Sequence, residues 1–502
     1  MHSWNINCTA LALLALAGST RAQNIADSPY SAYGFGDLVN AAQISQSTMG
    51  SVGVAVVDPF SVTAVNPATY PSLYTPVFEA GGAWRNATLT TSTQEAKRDG
   101  VQLAGLSLGI PFGKRKWGMA IGLQPYSNVG YLVTDQATTG DGHTVTFEYL
   151  GTGGLNRAYL GLGRVLWQDR DSVGSDNRRR DTLGLGNKLA LGFNFNYLFG
   201  AIEQTSKAIY PQASGYYSTR SFSTLVVRDP TYTFGLLYSG QLSSWRRDQQ
   251  RIILRDKRQR ERHAAGNAGR PDSLRTEFVP TKTDTMAWGF HIGAVCELGG
   301  GLGARYSNVL HNYSLSGGVE VPRDTISFTD GERGNISVPP LFGLGFSITH
   351  GGKFSLSAEV RQRDWSRLQS DVEGWQPAEE LGLQRTYALG LAWRPSGNTI
   401  RAEMDRGLTN LISNTVYRAG VRYNQDYLVV RGEQLNEIAV SAGLSIPVDA
   451  LRSRSRITLG GEYGQRGTMD NGLIQERFTT LFVGLSFTPI SGERWFVKRR
   501  ID

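Results

Sequence analysis

The sequence contains almost no cysteine. Only Cys8 and Cys296 are present among 502 residues, and Cys8 lies in an N-terminal stretch that we expect to be removed. One remaining thiol cannot form an intramolecular disulfide. We therefore expect Cys296, in the stretch HIGAVCELG, to be a small apolar residue of a strand.

Long hydrophobic runs are also lacking. No segment approaches the roughly 20 apolar residues that a membrane-spanning helix needs. The longest apolar stretch runs from Thr9 to Ala17 and is followed by small residues at Thr20 and Ala22. This pattern predicts a secretory signal peptide over residues 1–22, cleaved before Gln23, although it lacks the usual Lys or Arg near the N-terminus.

Signals for catalysis, metal binding and nucleic-acid binding are weak. The net charge of +8 is modest for this length, so no nucleic-acid partner is predicted. The histidines outside the signal peptide show no metal-ligand spacing. Gly105 to Gly109 matches the G-x-S-x-G nucleophile pattern, but that pattern requires a sharp strand-to-helix turn, and here it lies in an alternating stretch, VQLAGLSLGIPF. We predict no enzyme activity, no cofactor and no metal.

Glycine and aromatic residues are abundant, with 60 Gly and 10% aromatics. Several segments alternate with a period of two, which places alternate side chains on opposite faces of a sheet. In KLALGFNFNYLFG, large apolar residues alternate with Ala, Gly and Asn, and FSLSAEVR, YALGLAW and TTLFVGLSF repeat the pattern. Comparable runs between Pro76 and Pro489 predict about fourteen strands.

The second face of these strands distinguishes two architectures. A secreted β-sandwich or propeller would show charged residues to water, whereas a transmembrane barrel has a lipid-facing apolar side and a lumenal side. Here the second face is rich in Gly, Ala, Ser and Asn, which favours a crowded or hydrated lumen. Aromatic residues recur at strand ends, where interfacial girdles lie; these are Tyr197, Tyr387, Trp393 and Phe487. We predict an all-β transmembrane antiparallel β-barrel in the outer membrane of a Gram-negative bacterium, in contact with lipid and lipopolysaccharide.

A long basic insert interrupts the strands between Gln241 and Asp284. One interpretation is a surface loop that meets acidic lipopolysaccharide or a protein partner. The alternative, which we favour, is a solvated excursion.

An irregular stretch precedes the first strand. Its Asn66-Pro67 dipeptide keeps Asn66 out of the α region and breaks the chain. The longer segment MGSVGVAVVDPFSVTAVNPATYPSLYTPVFEAGG, with Asp58 and then Asn66-Pro67-Ala68, resembles the N-terminus of the FadL/TodX family of outer-membrane channels. WGMAIGLQPYSNVGY, GTGGLNRAYLGLG and ISVPPLFGLGFSI are similar to the form of this family common in Bacteroidota.

The resemblance implies a barrel of 14 strands with a hatch inside it. Residues 23–75 would be the hatch that plugs the lumen, 76–490 the barrel and 491–502 a basic periplasmic tail. Asp58, Asn66, Pro67 and Ala68 would shape the hatch and its exit to the first strand. This sequence departs from the proteobacterial pattern in bearing Tyr30, Tyr33 and Phe35 near its start. Those aromatics either line a ligand path or pack within the hatch.

Two functions fit this family. The first is a channel for hydrophobic or amphipathic small molecules, such as long-chain fatty acids or aromatic hydrocarbons. The alternative is a non-transporting subunit or scaffold of an outer-membrane secretion or barrel-assembly machine. In that case the C-terminal Lys498, Arg499 and Arg500 would contact an outer-membrane or periplasmic protein, unless they form a soluble tail. Both functions use the same barrel.

Overall fold

The computed structural model describes ten stretches of the chain: residues 28–113, 115–140, 142–168, 187–211, 215–241, 288–316, 319–376, 380–396, 408–448 and 455–488. The predicted signal peptide, most of the basic insert and the predicted C-terminal tail lie outside them. No helix within these stretches is long and apolar enough to cross a membrane. The helices are short: α1 (Ile44–Ser47), α2 (Leu408–Asn414) and four 3₁₀ turns.

Nineteen strands account for most of the described residues. They are β1 (Asp37–Leu38), β2 (Val77–Thr90), β3 (Glu95–Phe112), β4 (Trp117–Thr138), β5 (Thr144–Gln168), β6 (Lys188–Ile209), β7 (Ser218–Gln241), β8 (Trp288–Glu297), β9 (Gly300–Ser316), β10 (Val319–Val338), β11 (Leu341–His350), β12 (Phe354–Asp364), β13 (Gln369–Ser370), β14 (Glu380–Leu381), β15 (Leu383–Trp393), β16 (Val416–Val430), β17 (Glu433–Pro447), β18 (Arg456–Arg466) and β19 (Gln475–Phe487).

The strands form a closed antiparallel barrel. Neighbours pair in sequence from β2 to β8, then β8 pairs with β11, β11 with β12 and β12 with β15. The series continues to β19, which pairs with β2 from Gln475↔Thr90 to Phe487↔Phe78 and closes the ring. Fourteen strand positions result, so the predicted barrel is confirmed. Closure leaves no free edge where the ladders are complete, which is the condition for a sheet in lipid.

Two of the fourteen positions are each built from two long strands in line, and the two-residue strands β13 and β14 extend β12 and β15 in the same way. β7 pairs with β8 through residues 233–241 and with β9 through residues 218–227, and β10 returns along β9 before β11 returns along β8. Pro339-Pro340 separates β10 from β11. Proline has no N–H to donate to a ladder, so the strand is interrupted here.

The outward face is an apolar belt. Along β19 buried and exposed residues alternate at almost every position, and Leu344 of β11 and Leu389 of β15 are 61% and 50% exposed. Trp393 and Tyr387 lie six residues apart on β15, about 20 Å at the rise of a strand. Each packs on an aromatic of β16, Tyr417 and Tyr423 respectively. These pairs match the two interfacial girdles of an outer-membrane barrel.

On one side of the barrel the strands are longer than on the other, and we call their extension beyond the belt the wall. β4 to β7 contain 22 to 25 residues, whereas β11, β12, β15 and β18 contain 10 or 11. A strand needs only about 9–11 residues to cross the membrane. The excess of β4 to β7, together with β9 and β10, therefore stands beyond the belt. We call this the far end, and the end where β2 starts and β19 stops the near end.

A matched pair of arginine substitutions tests the position of the belt. Leu389 lies at the middle of β15, whereas Leu132 lies in the wall, and both are about half exposed. We expect Leu389→Arg to destabilise the barrel by about 2–4 kcal/mol and Leu132→Arg by about 0–1 kcal/mol. Urea unfolding in lipid vesicles measures both, and equal costs would contradict this placement.

Candidate functional site: the barrel lumen

The N-terminal segment, residues 28–76, contacts the inward faces of strands around the ring. It contains little regular structure, so its backbone N–H groups need other partners. Glu359 of β12 accepts from the N–H groups of Gly53 and Val54, at 2.6 and 2.8 Å. Glu79 of β2 accepts from Val62 N–H at 2.7 Å. Barrel side chains thus satisfy the irregular backbone.

Inward-facing glycines bring the barrel wall against this segment. A Cβ at Gly192 of β6 would overlap the backbone of Pro67 and Ala68, and one at Gly293 of β8 would overlap Val54. The same holds for Gly390 of β15 against Met49. The lumenal face that the sequence predicts as crowded or hydrated is crowded at these positions.

The Asn66-Pro67-Ala68 motif begins a buried 3₁₀ turn, Pro67–Ser72. The Asn66 side chain accepts from Ala68 N–H at 3.0 Å and donates to the carbonyl of Val54 at 2.6 Å and to that of Leu236 at 3.2 Å. The motif therefore caps its own turn and ties it to β7.

Asp58 is held by arginines of the barrel. Its Oδ2 lies 3.3 Å from Nη2 of Arg418 on β16, and its Oδ1 accepts from Phe60 N–H at 3.0 Å. Burial acts to raise the pKa of Asp58, but the charges of Arg456 and Arg418 outweigh it, so the pKa is lowered. The ionised carboxylate of Asp58 ties this part of the N-terminal segment to β16 of the barrel.

The N-terminal aromatics lie toward the far end. Phe35 is 1% exposed and packs on Trp365 and Trp375, with ring centroids 6.1 and 5.9 Å away. Tyr30 is buried, and its hydroxyl donates to the carbonyl of Ile474 at 2.8 Å. Tyr33 is partly buried against the same cluster. Phe35 and Tyr30 thus contact residues that follow barrel strands, and both a ligand path along these rings and a purely structural role stay predictions.

A cavity of about 250 Å³ lies between the N-terminal segment and the inner face of the barrel. Its lining is largely polar and charged and includes Arg85, Gln102, Glu297, Arg361, Arg422 and Asn424. Several of these charges are paired: Arg422 lies 2.8 Å from Glu437 and 3.0 Å from Glu462. Arg85 stacks on Phe478, 4.0 Å from the ring centroid, and no carboxylate of the described residues lies within 4.0 Å of its guanidinium.

Pairing between β3 and β4 stops partway up the barrel. The ladder runs from Phe112↔Trp117 to Leu106↔Leu123 and no further. Gly105 then adopts φ +142°, a conformation that side chains rarely tolerate, and Pro125 in β4 cannot donate a backbone hydrogen bond. Beyond this point the edge of β4 pairs instead with β1, Asp37↔Asn128 and Leu38↔Ser127.

The cavity reaches this break. Gln102 and Ala104 of β3 and Tyr126 and Asn128 of β4 all contribute to its lining. We call the region between β3 and β4 above Leu106 and Leu123 the lateral gap. The resemblance to the FadL/TodX family implies a lateral opening but not its place between β3 and β4. The lumenal charges have only a weak signal in the sequence, which is charge at inward positions of otherwise alternating strands, as at Glu359 and Arg361 in FSLSAEVR.

Several sequence candidates are not part of this site. Ser107 of the G-x-S-x-G match lies inside β3, not at a strand-to-helix turn. Among the described residues no group of three or more His, Cys, Asp or Glu could hold a metal ion. Lys498, Arg499 and Arg500, and most of the basic insert, lie outside the described residues.

The family model BamG matches residues 6–178 and 283–502. The structure is similar to the Ralstonia pickettii toluene transporter TbuX, with TM-score 0.47 and 11% identity over 90% of this chain and 99% of that one. It is similar to a Pseudomonas aeruginosa FadL homologue, with TM-score 0.47 and 10% identity over 90% and 99%. The Pseudomonas putida toluene transporter TodX gives TM-score 0.44 and 12% identity over 90% and 98%. A search of curated proteins found no significant match.

Proposed function

This chain belongs to the BamG family, and we propose that it is a plugged outer-membrane barrel through which amphipathic small molecules move between the lumen and the lipid. The observation that carries this proposal is the lateral gap beside the cavity. A closed ladder would separate lumen from lipid along the whole strand. Between β3 and β4 the ladder is interrupted where both strands line the cavity.

The near end of the lumen favours a sideways route over a straight one. There the inward glycines, such as Gly118 of β4 and Gly163 of β5, pack directly on the backbone of the Pro67–Ser72 turn. A molecule in the cavity would have to displace that backbone to continue toward the near end. The gap requires no such displacement.

The lining of the cavity favours ligands with a polar group. Arg85 has no direct carboxylate partner among the described residues, and the amides of Gln102 and Asn424 face the same space. A long-chain fatty acid would offer its carboxylate to the guanidinium of Arg85, whereas an aromatic hydrocarbon has no charged group to offer. We therefore place long-chain fatty acids ahead of hydrocarbons.

An uptake assay with a blocked gap tests this function. We expect Ala104→Trp, which fills the cavity beside the gap, to reduce uptake of a long-chain fatty acid several-fold relative to the native chain. Leu459→Trp is the matched control, because Leu459 of β18 is 41% exposed on the outer face and β18 is paired with both of its neighbours there. Surface abundance is measured for both variants. Equal uptake by cells with and without the native protein would refute the channel.

A second function has its own support. The family description, BamG, favours a subunit of a barrel-assembly machine, and a lumen sealed by backbone contacts suits a scaffold. Cells without the protein would then lose other outer-membrane or secreted proteins while fatty-acid uptake stays normal. That result would select the scaffold over the channel.

A further inference from the structure

Three arginines lie close together on the outer face of the wall. They are Arg228 of β7, Arg305 of β9 and Arg333 of β10, all of them exposed, whereas the adjacent Val227 and Ala304 are buried on the inner face. We propose that this outer arginine cluster binds the phosphate groups of lipopolysaccharide. The inference goes beyond the channel proposal, since it concerns the outer surface of the barrel rather than its lumen.

The pairing of the strands brings the three side chains together. Arg305 lies directly opposite Arg333 in the ladder of β9 and β10, which places their β-carbons about 5 Å apart. On its other side Arg305 lies opposite Val226 of β7. Arg228 follows Val226 by two residues and shares its face, so it is a diagonal neighbour of Arg305 at about 7–8 Å. Long side chains at these spacings can contact one anion.

The charge of the cluster has little compensation within the protein. Asp330 lies 3.5 Å from Arg305, and the two side chains are 66% and 54% exposed. Exposed pairs of this kind contribute little stability, so a stronger anion can replace Asp330. No carboxylate of the described residues lies within 4.0 Å of Arg228 or Arg333. Like charges directly opposite each other destabilise a sheet, and a phosphate bound by bidentate hydrogen bonds would relieve that repulsion.

The cluster lies beside the far edge of the apolar belt. Arg228 pairs with Phe199 of β6, which stacks on Tyr197 with ring centroids 6.2 Å apart, and Tyr197 is exposed on the outer face. Interfacial aromatic residues mark the level at which lipid headgroups begin, and basic residues at this level attract anionic lipids. The predicted periplasmic tail follows β19 at the near end, so the far end would face the cell surface, where the anionic lipid is lipopolysaccharide.

Basic residues farther out on the same strands are paired with a carboxylate. Lys207 of β6 and Arg220 of β7 lie 2.6 and 3.3 Å from Glu320 of β10. Arg220 precedes Arg228 by eight residues on β7 and so lies nearer the far end. The protein thus balances the charge of the outer basic pair, whereas Arg228 at the headgroup level has no such partner among the described residues.

Binding of purified lipid A, the phosphorylated anchor of lipopolysaccharide, to the intact protein tests the site. Diphosphoryl lipid A is titrated into the detergent-solubilised protein, and native mass spectrometry measures the bound fraction. The test variant replaces the three arginines of the cluster with glutamine. The control variant loses the same charge at three exposed, scattered positions, through Arg323→Gln, Arg367→Gln and Arg477→Gln. Unboiled gel mobility verifies that both variants form the barrel.

We expect the test variant to bind diphosphoryl lipid A at least about tenfold more weakly than the native protein, because it loses charge-assisted hydrogen bonds to phosphate. The control variant should bind as the native protein does. Dephosphorylated lipid A should bind the native protein at least about tenfold more weakly than the diphosphoryl form. This last comparison needs no variant, so it stands even if a variant does not assemble.

Three results would overturn the proposal: native affinity in the test variant, an equal loss in the control variant, or equal binding of both forms of lipid A. Equal affinity of the native protein for phosphatidylglycerol would replace lipopolysaccharide with anionic phospholipid in general. Fatty-acid uptake by the test variant should stay native, so a failure here leaves the channel proposal standing.

Discussion

We expect Gly420→Leu to release the N-terminal segment from the lumen and to turn a barrel with a blocked lumen into one that conducts ions. A Cβ at Gly420 of β16 would overlap the backbone of Met49 and Gly50. Overpacking a tight interior costs about 1–3 kcal/mol or more. Here the new side chain on the barrel strand would meet backbone atoms of the N-terminal segment, which cannot move aside by a change of rotamer. Conductance of the purified protein in planar bilayers measures the result, and the native protein should conduct poorly.

The control for this substitution is Gly461→Leu. Gly461 faces outward on β18, and a Cβ there would come no closer than 3.5 Å to Thr480. Leucine at this position adds apolar surface toward lipid, so conductance and heat stability should stay native. If Gly420→Leu also conducts no better than the native protein, the segment does not close the lumen by the contacts described above.

Arg466→Met should produce the largest loss of stability. Arg466 of β18 lies 2.6 Å from Asp37 of β1 and 2.5 Å from Asp426 of β16, and Glu476 of β19 is 3.8 Å away. Removing one partner of a buried ion pair costs about 3–5 kcal/mol, because the remaining charge is left uncompensated. Here several carboxylates would be left without Arg466, so the gel-mobility transition of unboiled protein should move to a much lower temperature.

A compensating variant separates charge from packing. Adding Asp37→Asn and Asp426→Asn to Arg466→Met removes the orphaned charges and should restore part of the lost stability. Arg477→Gln is the matched control, because Arg477 is exposed on the next strand and donates a hydrogen bond to Gln475, at 3.2 Å. A transition as low for Arg477→Gln as for Arg466→Met would show that the buried network is not the cause.

The alternation of side chains determined most of the fold. FSLSAEVR became β12 and YALGLAW lies in β15, with Leu389 outward and Gly390 inward. The alternation with period two shows locally which side chains face outward, because one side of each strand must be apolar to face lipid. The count of about fourteen strands followed from the same runs. In-line interruptions, such as those at Gly299 and at Pro339-Pro340, add strands without adding positions to the ring.

The contacts of the candidate site could be predicted only where they join residues that are close together in the sequence. Asn66 before Pro67 is such a case, since the dipeptide itself favours the capped turn observed at Pro67–Ser72. The partner of that cap on β7, the carbonyl of Leu236, lies 170 residues away. No local pattern specifies such a pair.

The sequence by itself determined a β-barrel with apolar, aromatic-edged strands and an irregular segment in front of them. Only the tertiary structure decided which strand edges are left unpaired and which charged side chains form ion pairs. The pairing of β1 with β4 joins residues about 90 positions apart, and the ion pair of Arg466 with Asp37 joins residues 429 positions apart. Hydrogen bonds and charges depend on distance in space, and closing the ring sets those distances all at once.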